Sequence, residues 1–264
     1  MLIIGELING MFKNVREAIL NKDKQTIIDL AIKQIEAGAN ALDVNVGPLS
    51  KEPVTDMEWL VNTIQEKVNT RLCLDSTKPE LIEAGLKLAK NKAIINSTTA
   101  DVEKLNIVVP LALRYNASLI GLALNKKGVP QDKDRRLELA AEIVGFCEAE
   151  NFPIKELYLD PIVLPINVAQ AQSNIIFDSI KEFKLLSDPS PNTIIGLSNS
   201  SQGAKNRRII NKTYAIMSML SGLDAAILDP LDKDLIDLII TSEIILNKQI
   251  YCDSFLEAYR KKAG

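Results

Sequence analysis

The chain contains no histidine. That removes the commonest general base, the commonest metal ligand and every Ser-His-Asp or Cys-His arrangement. Proton chemistry is left to carboxylates, amides, lysines, tyrosines or water, and no resident metal is expected. The three cysteines, Cys73, Cys147 and Cys252, are too few and too scattered for a disulfide frame or a zinc site. Their odd number fits the reduced thiols of a cytoplasmic protein. No apolar run approaches the roughly 20 residues a membrane span requires. The N-terminus, MLIIGELING, lacks a basic n-region and a long apolar h-region, so neither a signal peptide nor a membrane partner is expected. A formal net charge of -3 leaves no basic excess for non-specific nucleic-acid binding. The first strand-helix turn, GELINGMFKN, carries no G-x-G-x-x-G, and no P-loop motif occurs in the chain.

What is there is an alternation of short apolar runs with longer amphipathic ones, undivided by any Pro/Gly/Ser linker, over 264 residues that read as one domain, 1–264. Strands are predicted at 2–6, 41–46, 71–75, 93–96, 118–124, 156–160, 194–198 and 224–228. Helices are predicted at 24–37, 55–68, 78–89, 101–115, 132–149, 173–187, 207–221 and 233–247, with a final piece near 253–262. Ile27, Ile28, Ala31, Ile32 and Ile35 share one face of the first of these, and Gly38 follows as a C′ residue. Thr55 and Glu58 have the spacing of a capping box, and Pro79 fits the first turn of a helix. Eight strands alternating with helices imply a parallel, right-handed (β/α)8 TIM barrel, with an open doubly wound sheet as the main rival.

Several strands end on an Asp or Asn, as in RLCLDS, KAIINS and ELYLDP, and GLSNSS carries Asn199 just past another. Polar residues there have no packing reason, and in parallel α/β folds that end is where ligands bind. A barrel would gather Glu6, Asn9, Asp43, Asn45, Asp75, Asn96, Asn125, Asp160, Asn199 and Asp229 at one mouth. Such a mouth is rich in acceptors and amides and poor in cations. It disfavours phosphate and suits a heterocycle with several N–H donors, since a carboxylate accepts two parallel N–H bonds. The plainer reading is that each residue caps a helix or makes a turn. Ser76-Thr77 and Ser97-Thr98 weaken it for Asp75 and Asn96. Asp160-Pro161 strengthens it, and Asp229 before Pro230 reads as a turn. Asp43 and Asn45, two apart, face the same side of a strand. Arg207 and Arg208, near the start of a helix, oppose its dipole; either they are solvated or one reaches over the mouth.

The ordered series GELINGMF, ALDVNVGP, MEWLV, LCLDST, INST, YLDPIVLPINVAQ, GLSNSSQ, NR and YCDSF runs the length of the chain. It resembles the 5-methyltetrahydrofolate:corrinoid/iron–sulfur protein methyltransferases of the pterin-binding barrel superfamily. The resemblance implies that Asp75, Asn96 and Asp160 bind the pyrimidine edge of a pterin. It sets Asn199 near N5, makes Gln202 and Arg207 further contacts, and matches Asp43 and Asn45 to a second-strand DxN. The implied reaction carries the N5-methyl group of 5-methyltetrahydrofolate to the Co(I) of a cobalamin held by a separate corrinoid/iron–sulfur protein. No cofactor would be bound permanently, and the family is homodimeric and serves acetyl-CoA metabolism. Asn199 would be the catalytic group, an amide able to donate to N5 or, rotated, to accept from it. Dihydropteroate synthase, a relative within the superfamily, uses an Arg-x-His on its last strand that AAILDPLD lacks. A methionine-synthase-type folate module, another corrinoid-dependent methyltransferase and a non-catalytic folate-binding module are the remaining alternatives.

Overall fold

Eight short runs of aliphatic residues, each followed by an amphipathic helix, call for a parallel sheet whose strands are covered on both faces. In the computed structural model, which describes residues 1–257 and 259, the strands close into a parallel barrel in sequence order. They are β1 (Leu2–Asn9), β2 (Ala41–Asn45), β3 (Arg71–Asp75), β4 (Ile94–Thr99), β5 (Ser118–Leu122), β6 (Leu157–Asp160), β7 (Asn192–Gly196) and β8 (Ala225–Leu228), and β8 pairs back onto β1. The helices are α1 (Lys13–Asn21), α2 (Lys24–Glu36), α3 (Pro53–Gln65), α4 (Pro79–Leu88), α5 (Val102–Arg114), α6 (Lys133–Ala149), α7 (Ile166–Ala169), α8 (Gln172–Phe183), α9 (Arg207–Leu220) and α10 (Lys233–Ile245).

The two-residue period of the strands sorts their side chains into two cores. Outward-facing residues such as Ile3, Leu42, Leu72, Leu74, Ile95 and Leu119 pack against the helices. Inward-facing Ile4, Ala41, Cys73, Ile94, Ile120, Ile194 and Ala225 fill the barrel itself. One step further along each strand, the inward positions turn polar: Glu6, Asp43, Asp75, Asn96 and Asp160. The barrel is thus plugged with aliphatics below and opens on carboxylates and amides above.

Local chemistry sets the element ends. Asp23, Asp132 and Asp232 cap α2, α6 and α10 by accepting a backbone N–H three residues on. Pro79 occupies the first turn of α4, and Gly38 follows α2 at φ 105, as expected of a C′ glycine. The capping box read at Thr55–Glu58 is not formed. Pro53 starts α3 two residues before Thr55, with Glu52 at the cap position, because proline is preorganised for the first helical position. Helix α1 was not evident in the sequence, since Phe12 gives no side-chain cap and only Val15, Ala18 and Ile19 are buried. The strand expected at 194–198 ends at Gly196, and Leu197–Ser201 form a 3₁₀ turn, so Asn199 stands on a turn instead of a strand end. Strand β4 runs past Asn96 to Thr99, with a register shift against β5 between Asn96 and Thr98. Of the piece expected at 253–262, residues 255–257 and 259 are helical, and 258 and 260–264 lie outside the described residues.

The backbones of β1 and β2 approach closely just above the sheet. A Cβ on Gly10 would lie 2.2 Å from the Val46 carbonyl oxygen and 2.9 Å from Gly47 N. Backbone cannot move aside as a flexible side chain can. Gly10→Ala is therefore expected to destabilise the protein by about 2 kcal/mol or more, read as a lowered thermal midpoint. An unchanged midpoint would show that the two loops part freely.

Candidate active site at the barrel mouth

The carboxyl ends of β2, β3 and β4 form a paired network. Asn45 Nδ2 donates to Asp75 Oδ2 at 2.7 Å, and Asn96 Nδ2 donates to Asp43 Oδ1 at 3.1 Å. Asn45 Oδ1 also accepts Gly47 N–H at 2.7 Å, so both ends of that amide are occupied and Asp75 is held in one orientation. Asp43 is 3% exposed, one step deeper than Asp75, and the Cys73 thiol donates to it. Neither aspartate caps a helix. The Ser76 hydroxyl accepts Lys78 N–H in a local turn, but α4 carries no side-chain cap, so the capping role read for the Ser-Thr pair is not formed.

Burial pushes Asp43 up to about 8, and the Asp75 charge beside it adds to the rise. Asp75 is also raised, again by burial, against the help of the Asn45 amide. Two buried neighbouring carboxylates cannot both ionise cheaply, so the pair favours sharing a proton, the more so as Asp43 lies deeper. Burial drives the Cys73 thiol up as well, which keeps it neutral.

On the far side of β5, Asp160 ends β6. Its Oδ1 accepts Ile162 N–H at 2.7 Å across Pro161, so the Asp-Pro turn read in the sequence is real. That turn uses only Oδ1. Burial pushes Asp160 up to about 7, against the Ile162 hydrogen bond and the nearby Arg136 charge.

Past β7, the turn carrying Asn199 is locked by its serines. Ser200 Oγ donates to Leu197 O at 2.8 Å, and Ser201 Oγ to Ser198 O at 3.4 Å. Asn199 itself is exposed, with its amide folded over Gly196. A Cβ at 196 would lie 2.8 Å from the Asn199 Nδ2, so glycine is what leaves room for that amide. Gln202 is exposed on the following loop, with its backbone N–H bonded to Asn199 O. Arg207 begins α9 and reaches back, donating from Nε to Ser201 Oγ at 3.2 Å and from Nη2 to Ser198 O at 3.5 Å. Arg208 instead pairs with Asp232 through two hydrogen bonds. Asp229 accepts Leu231 N–H, the turn expected before Pro230.

Two further groups shape the site: Glu6, expected at the mouth, and Arg136, which the sequence reading did not single out. Glu6 accepts a hydrogen bond from Ser198 Oγ at 2.7 Å and lines a cavity of about 520 Å³ with Arg207, Asn211 and Asp229. Arg136 is fully buried behind the Asp160 loop. Its signal was present: it falls on the same helical face as Leu139, Ala140, Ile143, Val144 and Cys147.

An eight-stranded parallel barrel whose polar residues gather at the carboxyl ends of the strands has the build of the barrel enzymes. Within that class the chain belongs to the pterin-binding enzymes, the family described as pterin binding enzyme matching over residues 13–229. The chain is 29% identical to a methylcorrinoid:tetrahydrofolate methyltransferase of Eubacterium limosum, over 99% of this chain and 97% of the relative. It is 26% identical to the methionine synthase of Mycobacterium tuberculosis over 86% of this chain, but spans only 20% of that protein. Among solved structures it resembles a dihydropteroate synthase of Coxiella burnetii in complex with pteroic acid, at a TM-score of 0.71 and 12% identity, covering 94% of each chain. The dihydropteroate synthase of Yersinia pestis gives a TM-score of 0.70 at 12% identity, again over 94% of each chain. Likeness at that identity speaks for the fold.

The retained proton has a measurable consequence. The folded protein holds a proton on Asp43 that the unfolded chain releases near the ordinary carboxylate value of about 4. Stability is therefore greatest at or below that value and falls as the pH rises toward about 8. The limiting slope is about 1.4 kcal/mol per pH unit for one proton. The thermal midpoint of the ligand-free protein is expected to drop across that window, and Asp43→Asn is expected to make the drop shallower, with Asp160, raised to about 7, accounting for part of what remains. An equal slope in the variant would place the proton elsewhere.

Proposed function

We propose that this barrel is a methyltransferase that binds a folate at its mouth and carries a methyl group between N5 of the folate and the cobalt of a separate corrinoid protein. The observation that carries this reading is the partner set of the mouth carboxylates. Asp43, Asp75 and Asp160 are met by amides, a thiol and a backbone N–H, a surface that lacks N–H donors of its own in the number its acceptors could take. The pyrimidine edge of a pterin supplies such donors. Asp75, Asn96 and Asp160 would grip that edge, and Asp43 and Asn45 would bind it through the residues they orient. Gln202 and Arg207 would make further polar contacts from the loop after β7. We read residues 1–264 as one pterin-binding domain.

The chemical difficulty is the leaving nitrogen. A tertiary amine parts from its methyl group only if the nitrogen gains a proton or a hydrogen bond as the C–N bond breaks. No histidine exists to give it. Asn199, with its amide held over Gly196, is the group we assign to N5. Its hydrogen bond would strengthen as charge develops, so it would act on the transition state more than on the bound folate, while the proton that N5 carries in the product would come from water at the open mouth. The cobalt is the second substrate and attacks in line as Co(I). The name of the Eubacterium limosum relative joins a methylcorrinoid to tetrahydrofolate, the opposite direction. By microscopic reversibility the same residues serve both, and the cobalt of the partner decides which runs.

Around the mouth, the loops carry exposed apolar side chains: Met11 and Phe12 after β1, Leu49 after β2, Val168 after β6 and Leu231 after β8. Such a ring suits the approach of a second protein. The partner we propose is a corrinoid/iron–sulfur protein, with the enzyme a cytoplasmic homodimer of acetyl-CoA metabolism. None of the described helices is long and apolar enough to cross a membrane.

Single-turnover mixing with 5-methyltetrahydrofolate and a Co(I) corrinoid protein, followed by cobalt absorbance, tests the reaction. Methylcobalt is expected. Tight folate binding with no methylcobalt on any Co(I) acceptor, and no transfer in reverse, would leave a folate-binding module. Asn199→Ala is expected to slow transfer roughly 100-fold while weakening folate binding far less. Equal losses in rate and affinity would remove Asn199 from N5. Leu49→Asp with Val168→Asp is expected to slow transfer to a protein-held corrinoid while sparing transfer to free cobalamin; equal effects on both would place the partner elsewhere.

A further inference from the structure

Arg136 is the largest fully buried side chain of the protein, and it is a cation. It lies in the early part of α6, where a positive charge opposes the helix dipole. Burying it also costs desolvation that pairing with a carboxylate usually offsets. Among the described residues no carboxylate is hydrogen-bonded to it. Arg136 Nη1 donates to the Pro161 carbonyl and, at 3.2 Å, to the Ile162 carbonyl, and Nη2 donates to Gln172 Oε1 at 2.8 Å. Its Nε is buried without a partner.

Two of those three acceptors belong to the loop that begins at Asp160. The same loop is held from its other side by the Asp160 Oδ1 bond to Ile162 N–H. Ile162 sits at φ 66, a region a β-branched residue rarely adopts and one that persists only when its surroundings over-determine it. Gln172 closes the arrangement by donating from Nε2 to Gln131 O at 2.8 Å, just before α6. A buried cation without an ion-pair partner is a costly way to fix a loop. A lysine, or an apolar side chain, would satisfy packing alone.

We propose that Arg136 is a positioning residue for the folate site: it grips the Pro161 and Ile162 carbonyls so that the free oxygen of Asp160 faces the mouth, and its charge keeps that carboxylate ready to accept N–H bonds. The proposal rests on the reading of the mouth as a folate site. The charged and titratable groups around the pair are few. Asp160 faces Arg136 from α6 and Tyr214 from α9, and Arg136 also feels Asp132 at the α6 cap. Burial pushes the Tyr214 hydroxyl up to about 12, so it stays neutral through the range of interest. Losing the Arg136 charge therefore lets Asp160 titrate at a higher pH.

The test is 5-methyltetrahydrofolate affinity by calorimetry across about pH 5.5–8.5, with kcat and KM for methyl transfer, on the full chain. In the wild type, affinity is expected to rise with pH as Asp160 ionises near 7. Arg136→Met is expected to bind at least tenfold more weakly at neutral pH, with its affinity midpoint moved upward, KM raised and kcat little changed. Arg136→Lys keeps the charge and loses the fork, so it should bind more weakly with the wild-type midpoint. It carries the test alone if Arg136→Met does not fold. Wild-type affinity in Arg136→Lys, or a loss in Arg136→Met that is uniform over pH with an unmoved midpoint, would overturn the proposal. Absence of folate binding by the wild type would overturn the reading of the site, and the proposal with it.

Discussion

The desolvation of carboxylates at the barrel mouth is the constraint on which the site depends. Asp43, Asp75 and Asp160 are drawn out of water by the barrel wall; Asp43 and Asp75 receive amides and a thiol in place of cations, and Asp160 a backbone N–H with the Arg136 charge nearby. Burial of this kind is costly unless the missing hydrogen bonds are supplied. One proton kept on Asp43 relieves the β2–β3 pair, and an N–H-rich ligand would relieve the rest. The same features that weaken the empty protein would therefore suit it to such a ligand. Residues behind the mouth hold that unfavourable arrangement in place: Asn45 orients Asp75 and Arg136 clamps the loop of Asp160.

The barrel separates holding from chemistry. Strands β2, β3, β4 and β6 present rigid acceptors from alternating inward positions, which suits the planar edge of a heterocycle. The group proposed to meet N5 sits elsewhere, on the 3₁₀ turn after β7, where serine hydroxyls lock the backbone and Gly196 leaves the Asn199 amide exposed. An amide on a turn can rotate to meet a nitrogen whose charge changes during the reaction. A strand-end aspartate, fixed by its ladder, could not follow that change as easily. In a chain without histidine, a neutral amide would offer N5 a hydrogen bond where an imidazole could have offered a proton.

The strand-end polar residues were legible in the sequence because aliphatic runs make any interruption conspicuous. Periodicity two, with Asp43 and Asn45 on one face, translated directly into inward-facing neighbours. Eight alternations of strand and helix likewise led to the closed barrel. Other features were out of reach for physical reasons. The cross-strand partners Asn45–Asp75 and Asn96–Asp43 depend on barrel register, which no single strand encodes. The turn after β7 looked like a strand end because IIGLS is apolar and β-branched, and the serines that close it act only in three dimensions. The failed capping box at Thr55 lost to Pro53, a stronger local determinant two residues earlier. Arg136 could have been found, since a cation on an apolar helical face is an anomaly, but its partners, 25, 26 and 36 residues away, could not.

The most direct measurement is a crystal structure of the protein with 5-methyltetrahydrofolate bound. The expected result is the pyrimidine edge of the pterin on Asp75, Asn96 and Asp160, with the Asn199 amide within hydrogen-bonding distance of N5 and the methyl group open to the mouth. A folate bound outside the barrel mouth, or one in the mouth with its N5 turned away from Asn199, would contradict the central claim.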